Sequence, residues 1–212
     1  MNIRSHQTLQ KNLNQNFFSL PFLMFILLMT VSITPVVGQR FKAMGIIGAN
    51  TAQIDGDSLY GFKKLGISGG ARLSYTNNKT WDLSLEMLYS QRGSSEKLFN
   101  ASKGRNINLN FFEFPVIFSL RDWYQEADKY YKVRVEGGLS YGYLFGAEAD
   151  GYDVSEVRKN DISYLVAAGI NFTKRLGFSM RYTTSFLNLY TGPRSDINYK
   201  SYFLTFRTEY QF

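Results

Sequence analysis

The sequence predicts an all-β fold: an eight-stranded antiparallel up-and-down transmembrane β-barrel with short periplasmic turns and longer external loops. The first observation is a period-two alternation of apolar and polar residues along most of the chain after Gly38, typical of strands with two unlike faces. The second is that eight such segments are joined by connections that alternate in length, as in outer-membrane barrels. The third is the last segment, Tyr202–Phe212, which is long enough to cross a bilayer, since ~9–11 tilted residues suffice.

Composition narrows the classes of protein. The 212 residues include 18 Phe, 15 Tyr and 18 Gly, which suits a β-rich protein at a membrane interface. The absence of cysteine excludes disulfides, thiolate metal sites and a lipidated N-terminal cysteine. The formal charge of +7 comes with no run of Lys and Arg and no basic aromatic motif, so we expect no nucleic-acid partner.

Residues 1–38 have the pattern of a cleaved signal peptide. Arg4 and Lys11 form a positive region, Phe17–Ile33 is apolar, and Val36-Val37-Gly38 puts small residues before a cleavage site at Gln39. An uncleaved inner-membrane anchor is the alternative, although the apolar run is short for a span of ~20 residues. We expect residues 39–212 to form one outer-membrane β-barrel domain.

The eight strands follow from the alternation. The fourth changes phase near Phe111-Phe112, which a β-bulge would explain. The fifth is the clearest, because Tyr131, Val133 and Val135 alternate with charged residues. The predicted strands are Arg40–Asn50, Lys64–Tyr75, Trp81–Arg92, Arg105–Leu120, Tyr130–Gly146, Asp161–Phe172, Leu176–Leu187 and Tyr202–Phe212.

The connections alternate between short and long. Short ones lie around Asn77-Asn78, Asp122–Asp128 and Lys174. Membrane barrels have short periplasmic turns and long external loops, so we expect both termini of the exported chain in the periplasm. The long connections are Thr51–Lys63, Gly93–Gly104, Ala147–Asn160 and Asn188–Asn198.

The residue types on the two faces favour a membrane barrel over a soluble one. A soluble eight-stranded barrel points its apolar face inward and its charged face outward. Here the polar face is rich in Gly and Ser, which suit a narrow interior, and the apolar face has Tyr and Trp near the strand ends. We therefore expect outer-membrane lipid around the apolar face.

Charged residues of both signs share the polar face. An eight-stranded barrel has an interior that side chains fill, and buried charges must be paired. We therefore predict a closed, salt-bridged lumen with a structural role; an ion-conducting path or a small polar ligand site is the alternative. The residues are Arg72, Arg92, Lys132, Arg134, Arg181 and Arg207, with Asp82, Glu86, Glu113, Glu136, Asp161 and Glu209.

No set of residues indicates catalysis, a cofactor or a metal. Enzymes among small membrane barrels typically use a histidine base, and the only histidine, His6, lies in the predicted signal peptide. Asp55-Gly56-Asp57 and Asp150 with Asp153 could bind calcium, but neither fits a full calcium loop, and turn chemistry explains Asp-Gly equally well. We expect no enzyme activity, no catalytic or cofactor-binding residues and no metal site.

Several stretches resemble the PorT-like outer-membrane β-barrel family of Gram-negative bacteria over roughly residues 40–212. The resemblance implies the barrel fold and an envelope- or secretion-related role, without assigning a role to any residue. The stretches are Gly45-Ile46-Ile47-Gly48-Ala49-Asn50, Gly61-Phe62-Lys63-Lys64-Leu65-Gly66, Glu86-Met87-Leu88-Tyr89-Ser90-Gln91-Arg92-Gly93, Phe112-Glu113-Phe114-Pro115, Glu136-Gly137-Gly138-Leu139-Ser140-Tyr141-Gly142-Tyr143-Leu144 and Arg181-Tyr182.

Two functions fit this fold. In the first, a non-enzymatic barrel, expected to be a monomer, binds a protein, a lipopolysaccharide or a secretion component through its external loops or periplasmic rim. In the second, the barrel is a channel or transporter for a small solute or ion. Partner capture through the loops would support the first, and conductance would support the second.

We predict that cell fractionation finds the protein in the outer membrane and that N-terminal sequencing finds it starting at Gln39, because the signal pattern ends at Gly38. Recovery of the full-length chain in the inner membrane would instead support the uncleaved anchor.

Overall fold

The computed structural model describes residues 40–54, 62–77, 80–95, 106–149, 156–190 and 200–212, without the side chain of Asn106. The predicted signal peptide lies outside these ranges, as do Asp55, Asp57, Asp150 and Asp153. Within the described ranges, no helix has the length and apolar character needed to cross a bilayer.

Eight antiparallel strands form a closed barrel in which each strand pairs with its sequence neighbours and β1 pairs with β8. The predicted fold class is confirmed. Closure leaves no unpaired sheet edge, which a lipid environment requires because it offers backbone groups no hydrogen-bond partner. The strands are β1 Phe41–Ile54, β2 Lys64–Thr76, β3 Trp81–Ser95, β4 Asn106–Gln125, β5 Tyr130–Ala149, β6 Asn160–Asn171, β7 Leu176–Ser185 and β8 Ser201–Gln211.

Several strands extend further than the alternation predicts. β1 continues to Ile54, β3 to Ser95 and β5 to Ala149, and β4 continues beyond Leu120 to Gln125. Backbone pairing persists in these extensions although the residues no longer alternate cleanly in polarity. Part of the predicted long loops is therefore barrel wall.

The two ends of the barrel differ in their connections. Residues 77–80, 126–129 and 172–175 join strands at the end where β1 starts and β8 finishes, which we call the terminal end. Residues 55–63, 96–105, 150–159 and 186–200 join strands at the opposite end, which we call the long-loop end. The predicted alternation of connection lengths is thus present in the strand bounds.

The outer face of the barrel is apolar. Ile47 is 72% exposed, Ile67 63% and Met87 61%. Aromatic rings pair near both ends of this face: Trp81 stacks on Phe118 near the terminal end, with ring centroids 6.0 Å apart. The residues that alternate with these along each strand point inward; they are buried and mostly polar. The apolar face is therefore turned outward, as lipid requires and water would not favour.

The predicted phase change of the fourth strand is wrong. Ile107, Leu109 and Phe111 all face inward on β4, in one unbroken alternation with Glu113. The register does shift near the expected position, but Asn110 pairs with Gly146 and Phe111 with Leu144, so the extra residue belongs to β5. The apolar residues that suggested a change of face instead fill the lumen.

These inward residues form an apolar cluster at the long-loop end. Partly buried Ala147, Ala149 and Val157 pack against it. Such side chains exclude water from the lumen because apolar surface is costly to hydrate. The cluster consists of Ile54, Ile107, Leu109, Phe111, Leu144 and Leu189.

We predict that Gly93→Ala lowers the heat-unfolding temperature of the barrel in detergent. Gly93 has a φ of 139°, and a Cβ at this position would collide with the backbone carbonyl of Ile107 on β4. A strained conformation of this kind costs about 1–3 kcal/mol. Gly137→Ala is the matched control because a Cβ there meets nothing within 4 Å. Equal unfolding temperatures for the two variants would contradict the strain at Gly93.

Candidate functional site

Inward-facing charged side chains from five strands meet near the middle of the lumen. They come from β2, β3, β5, β7 and β8, because the alternation places every second residue inside. All are buried. We call this group the central cluster: Arg72, Glu86, Arg134, Glu136, Arg181, Arg207 and Glu209.

Glu86 of β3 is the hub of the central cluster. Arg72 Nε donates to its Oε1 at 2.7 Å, and Arg181 Nη1 donates to its Oε2 at 2.8 Å. Arg207 Nη1 donates to the same Oε2 at 3.2 Å. One carboxylate that is 1% exposed thus accepts from arginines of β2, β7 and β8. Such charge-assisted bonds are among the strongest that side chains make.

Glu136 and Glu209 extend the cluster toward the terminal end. Arg72 Nη1 donates to Glu136 Oε1 at 2.8 Å, and Arg134 Nε donates to the same oxygen at 2.9 Å. Glu209 accepts from Arg134 Nη2 at 2.6 Å and from Arg207 Nη2 at 2.9 Å. Each arginine here contacts two carboxylates, so the ion pairs form a continuous network.

A second charged group, the upper cluster, consists of Arg92, Glu113 and Asp161. Arg92 Nε donates to Glu113 Oε1 at 2.9 Å, and its Nη1 donates to Asp161 Oδ2 at 2.7 Å. The Arg92 guanidinium lies 4.5 Å from the Phe111 ring centroid and 4.4 Å from that of Phe203. The upper cluster therefore lies between the central cluster and the apolar cluster.

The formal charges of the two clusters cancel. The central cluster has four arginines and three glutamates, a balance of +1, whereas the upper cluster has one arginine and two acids, a balance of −1. Since burying an uncompensated charge is costly, this balance is what two adjacent clusters of buried charges need.

Two of the predicted lumen residues lie outside both clusters. Asp82 Oδ2 is 2.9 Å from Arg121 Nε, in a pair near the terminal end. Lys132 Nζ lies 4.5 Å from the Trp123 ring centroid at the same end, so it does not join the network as predicted. Its position near the start of β5 lets the ammonium reach an aromatic ring instead of a carboxylate.

Sequence reasoning missed Arg121 and the neutral members of the network. Arg121 continues the inward alternation of β4, one inward position beyond Ser119, but the predicted strand stopped at Leu120. Arg134 Nη1 donates to Asn171 Oδ1 at 2.6 Å, at the end of β6. Following the alternation to the end of the pairing would have found Arg121. The alternation does place Asn171 on the polar face of the sixth strand, but it does not indicate that Asn171 bonds to Arg134.

The carboxylates of the central cluster are all engaged in ion pairs. Among the described residues, no group of three or more Asp, Glu or His side chains is arranged to hold a metal ion. Each carboxylate of the central cluster is held by at least two arginines, so none is free to act as a base in this arrangement. The geometry builds a cross-link between distant strands.

We predict that Glu86→Gln lowers the free energy of unfolding by about 3–5 kcal/mol, the usual cost of removing one partner of a buried ion pair. The substitution changes the formal balance of the central cluster from +1 to +2. Heat or urea unfolding in detergent measures the loss. Glu126→Gln is the control because Glu126 is exposed in a turn.

The double variant Glu86→Gln with Arg181→Gln restores the balance of +1 and should recover part of that loss. If the Glu86 and Glu126 variants were equally stable, the network would contribute nothing measurable.

Two solved structures are similar to this chain, and the first of them supports the fold. Neisserial surface protein A is 15% identical, with a TM-score of 0.53, and the alignment covers 82% of this chain and 98% of that chain. Ail, the attachment invasion locus protein of Yersinia pestis, solved with the heparin analogue sucrose octasulfate, is 18% identical with a TM-score of 0.48, covering 81% and 99%. No curated protein matches this sequence.

The sequence also matches a family model. Residues 36–191, most of the chain, match the model described as outer membrane protein beta-barrel domain. This family is broader than the PorT-like one, whose resemblance stays a prediction. With the closed eight-stranded barrel and its apolar outer face, the match shows that this chain belongs to the outer membrane protein beta-barrel domain family.

Proposed function

We propose that this protein is a closed, non-enzymatic outer-membrane barrel that acts on a partner through its long connections and does not conduct solutes. The observation that carries the proposal is the pairing of every charged group in the two lumen clusters. All ten of these groups are at most 8% exposed.

The interior of an eight-stranded barrel is only wide enough for side chains. A water-filled path through the central cluster would require Arg72, Arg181 and Arg207 to leave Glu86, and each separation would leave a charge without its partner. The apolar cluster would then have to open as well. The central cluster and the apolar cluster would therefore both oppose conduction.

The long connections are the parts that remain for recognition. Residues 55–63, 96–105, 150–159 and 186–200 all leave the barrel at one end, and binding residues in rigid folds concentrate on loops. We place this end outside the cell and the chain termini in the periplasm, following the habit of outer-membrane barrels. The partner is a protein, a lipopolysaccharide or, from the PorT-like resemblance, a secretion component.

We predict that the purified protein gives no steady single-channel current in a planar bilayer, because the lumen charges are paired and buried. A porin reconstituted in the same way is the positive control. A reproducible current from the unmutated protein would make transport the better explanation.

Loop exchange tests the other half of the proposal. Replacing residues 150–155 with a short Gly-Ser turn should abolish partner capture after cross-linking on intact cells, while the heat-unfolding temperature stays within a few degrees of the parent. An equivalent exchange at residues 126–129, on the terminal end, is the matched control.

Since the chain has no cysteine, a single cysteine at Ser102 can report orientation by reacting with an impermeant thiol reagent on intact cells.

A further inference from the structure

The terminal end of the barrel opens into a basic cavity of about 130 Å³. Seven of its lining side chains are cationic and two are acidic. The cations are Lys42, Arg72, Arg121, Lys129, Arg134, Lys174 and Arg175, and the acids are Asp82 and Glu209.

The charged side chains on the inner wall of the cavity already form ion pairs with one another or with the central cluster. Arg72 and Arg134 pair with glutamates of the central cluster, and Glu209 accepts from Arg134. Asp82 is held by Arg121. Both acids of the cavity are thus engaged by arginines and add no unpaired negative charge.

The rim of the cavity is not neutralised. Among the described residues, no ion pair within 4.0 Å involves Lys42, Lys129, Lys174 or Arg175. These four cations come from β1, the β4–β5 turn and the β6–β7 turn, so the fold gathers them from three separate parts of the chain. Asp128 lines a neighbouring open groove with Lys174 and Arg175 but forms no ion pair with them in the described structure.

A buried hydroxyl adds a neutral hydrogen-bonding group. Ser119 Oγ lines the same cavity, belongs to a residue that is 2% exposed, and has no hydrogen-bond partner among the described residues. A buried polar group without a partner is costly, and a ligand oxygen that accepted from this hydroxyl would remove that cost.

We propose that this cavity is a binding site for a phosphate-type oxyanion. Like charges that gather without counter-charges repel one another, and a doubly charged anion relieves several such repulsions at once. The cavity volume of about 130 Å³ leaves room for a phosphoryl group. Lysine and arginine donors around a Ser hydroxyl supply the hydrogen bonds that phosphoryl oxygens accept.

Two sources offer this chemistry: a free phosphate in the surrounding solution and the headgroup of a phospholipid at the barrel rim. Both would place phosphoryl oxygens between Lys42 and the turn that contains Lys174. The site is at the end opposite the long loops and does not depend on the partner proposed for them.

The first arm of the test uses inorganic phosphate. The full barrel in a non-ionic, phosphate-free detergent is titrated calorimetrically, and we expect saturable binding of one phosphate per barrel. Lys42→Gln and Lys174→Gln should each weaken binding by about tenfold, as expected for losing a hydrogen bond to a charged group. Lys159→Gln is the matched control because Lys159 is exposed at the long-loop end.

The second arm uses nanodiscs of phosphatidylcholine alone or with phosphatidylglycerol, with native mass spectrometry counting the lipids retained. Loss of retained phosphatidylglycerol in Lys42→Gln, without phosphate binding in the first arm, would identify the headgroup as the source. Lys174 is exposed in a turn, so its variant should fold, and unchanged heat-unfolding would verify this. The proposal is overturned if neither probe binds, or if Lys159→Gln weakens binding as much as Lys174→Gln.

Discussion

Charge pairing among the buried side chains of the lumen is the constraint on which this structure depends. Glu86 is buried at the middle of the barrel and is reached by arginines from three other strands. In an antiparallel sheet, a slip of one residue moves every side chain of a strand to the opposite face. Such a slip of β3 would turn Glu86 toward lipid and leave three buried arginines short of a partner. The network therefore helps to specify the register as well as to fill the space.

The same constraint explains why the apolar surface is on the outside. A charge on the lipid face costs up to about 2–4 kcal/mol near the bilayer midplane, whereas leucine or phenylalanine there costs nothing. The polar side chains are consequently confined to the inside, where some pair between adjacent strands and others, such as Glu86 and Arg181, pair across the lumen. The pairing of β1 with β8 closes the barrel and gives the backbone groups of these two strands their hydrogen-bond partners.

The barrel is closed in layers that differ in chemistry. The apolar cluster excludes water at the long-loop end, the upper cluster has a formal charge of −1, and the central cluster has a formal charge of +1. Beyond the central cluster, the terminal end is basic and open to a small volume. The two ends therefore differ in chemistry, and the middle cross-links the strands between them.

The sequence by itself determined the strands and their faces. Lipid outside and packed side chains inside impose a period of two that is visible residue by residue, and all eight predicted strands begin within one residue of their observed start. The upper half of β5 departs from this period, because Phe145 is an extra residue there and the alternation changes phase. The inward position of Glu86, Arg181 and Arg207 followed from the same alternation.

Only the tertiary structure decided which of these charges meet. Glu86 and Arg207 are 121 residues apart in the sequence, and the stagger of the strands between them sets whether their side chains lie at one height. That stagger depends on every intervening pair of strands, so alternation along one strand cannot reveal it. For this reason Lys132 was predicted in the network but stacks on Trp123, and Arg121 was overlooked although it holds Asp82. Local periodicity records the side of the wall on which a residue lies, and barrel closure determines its neighbours.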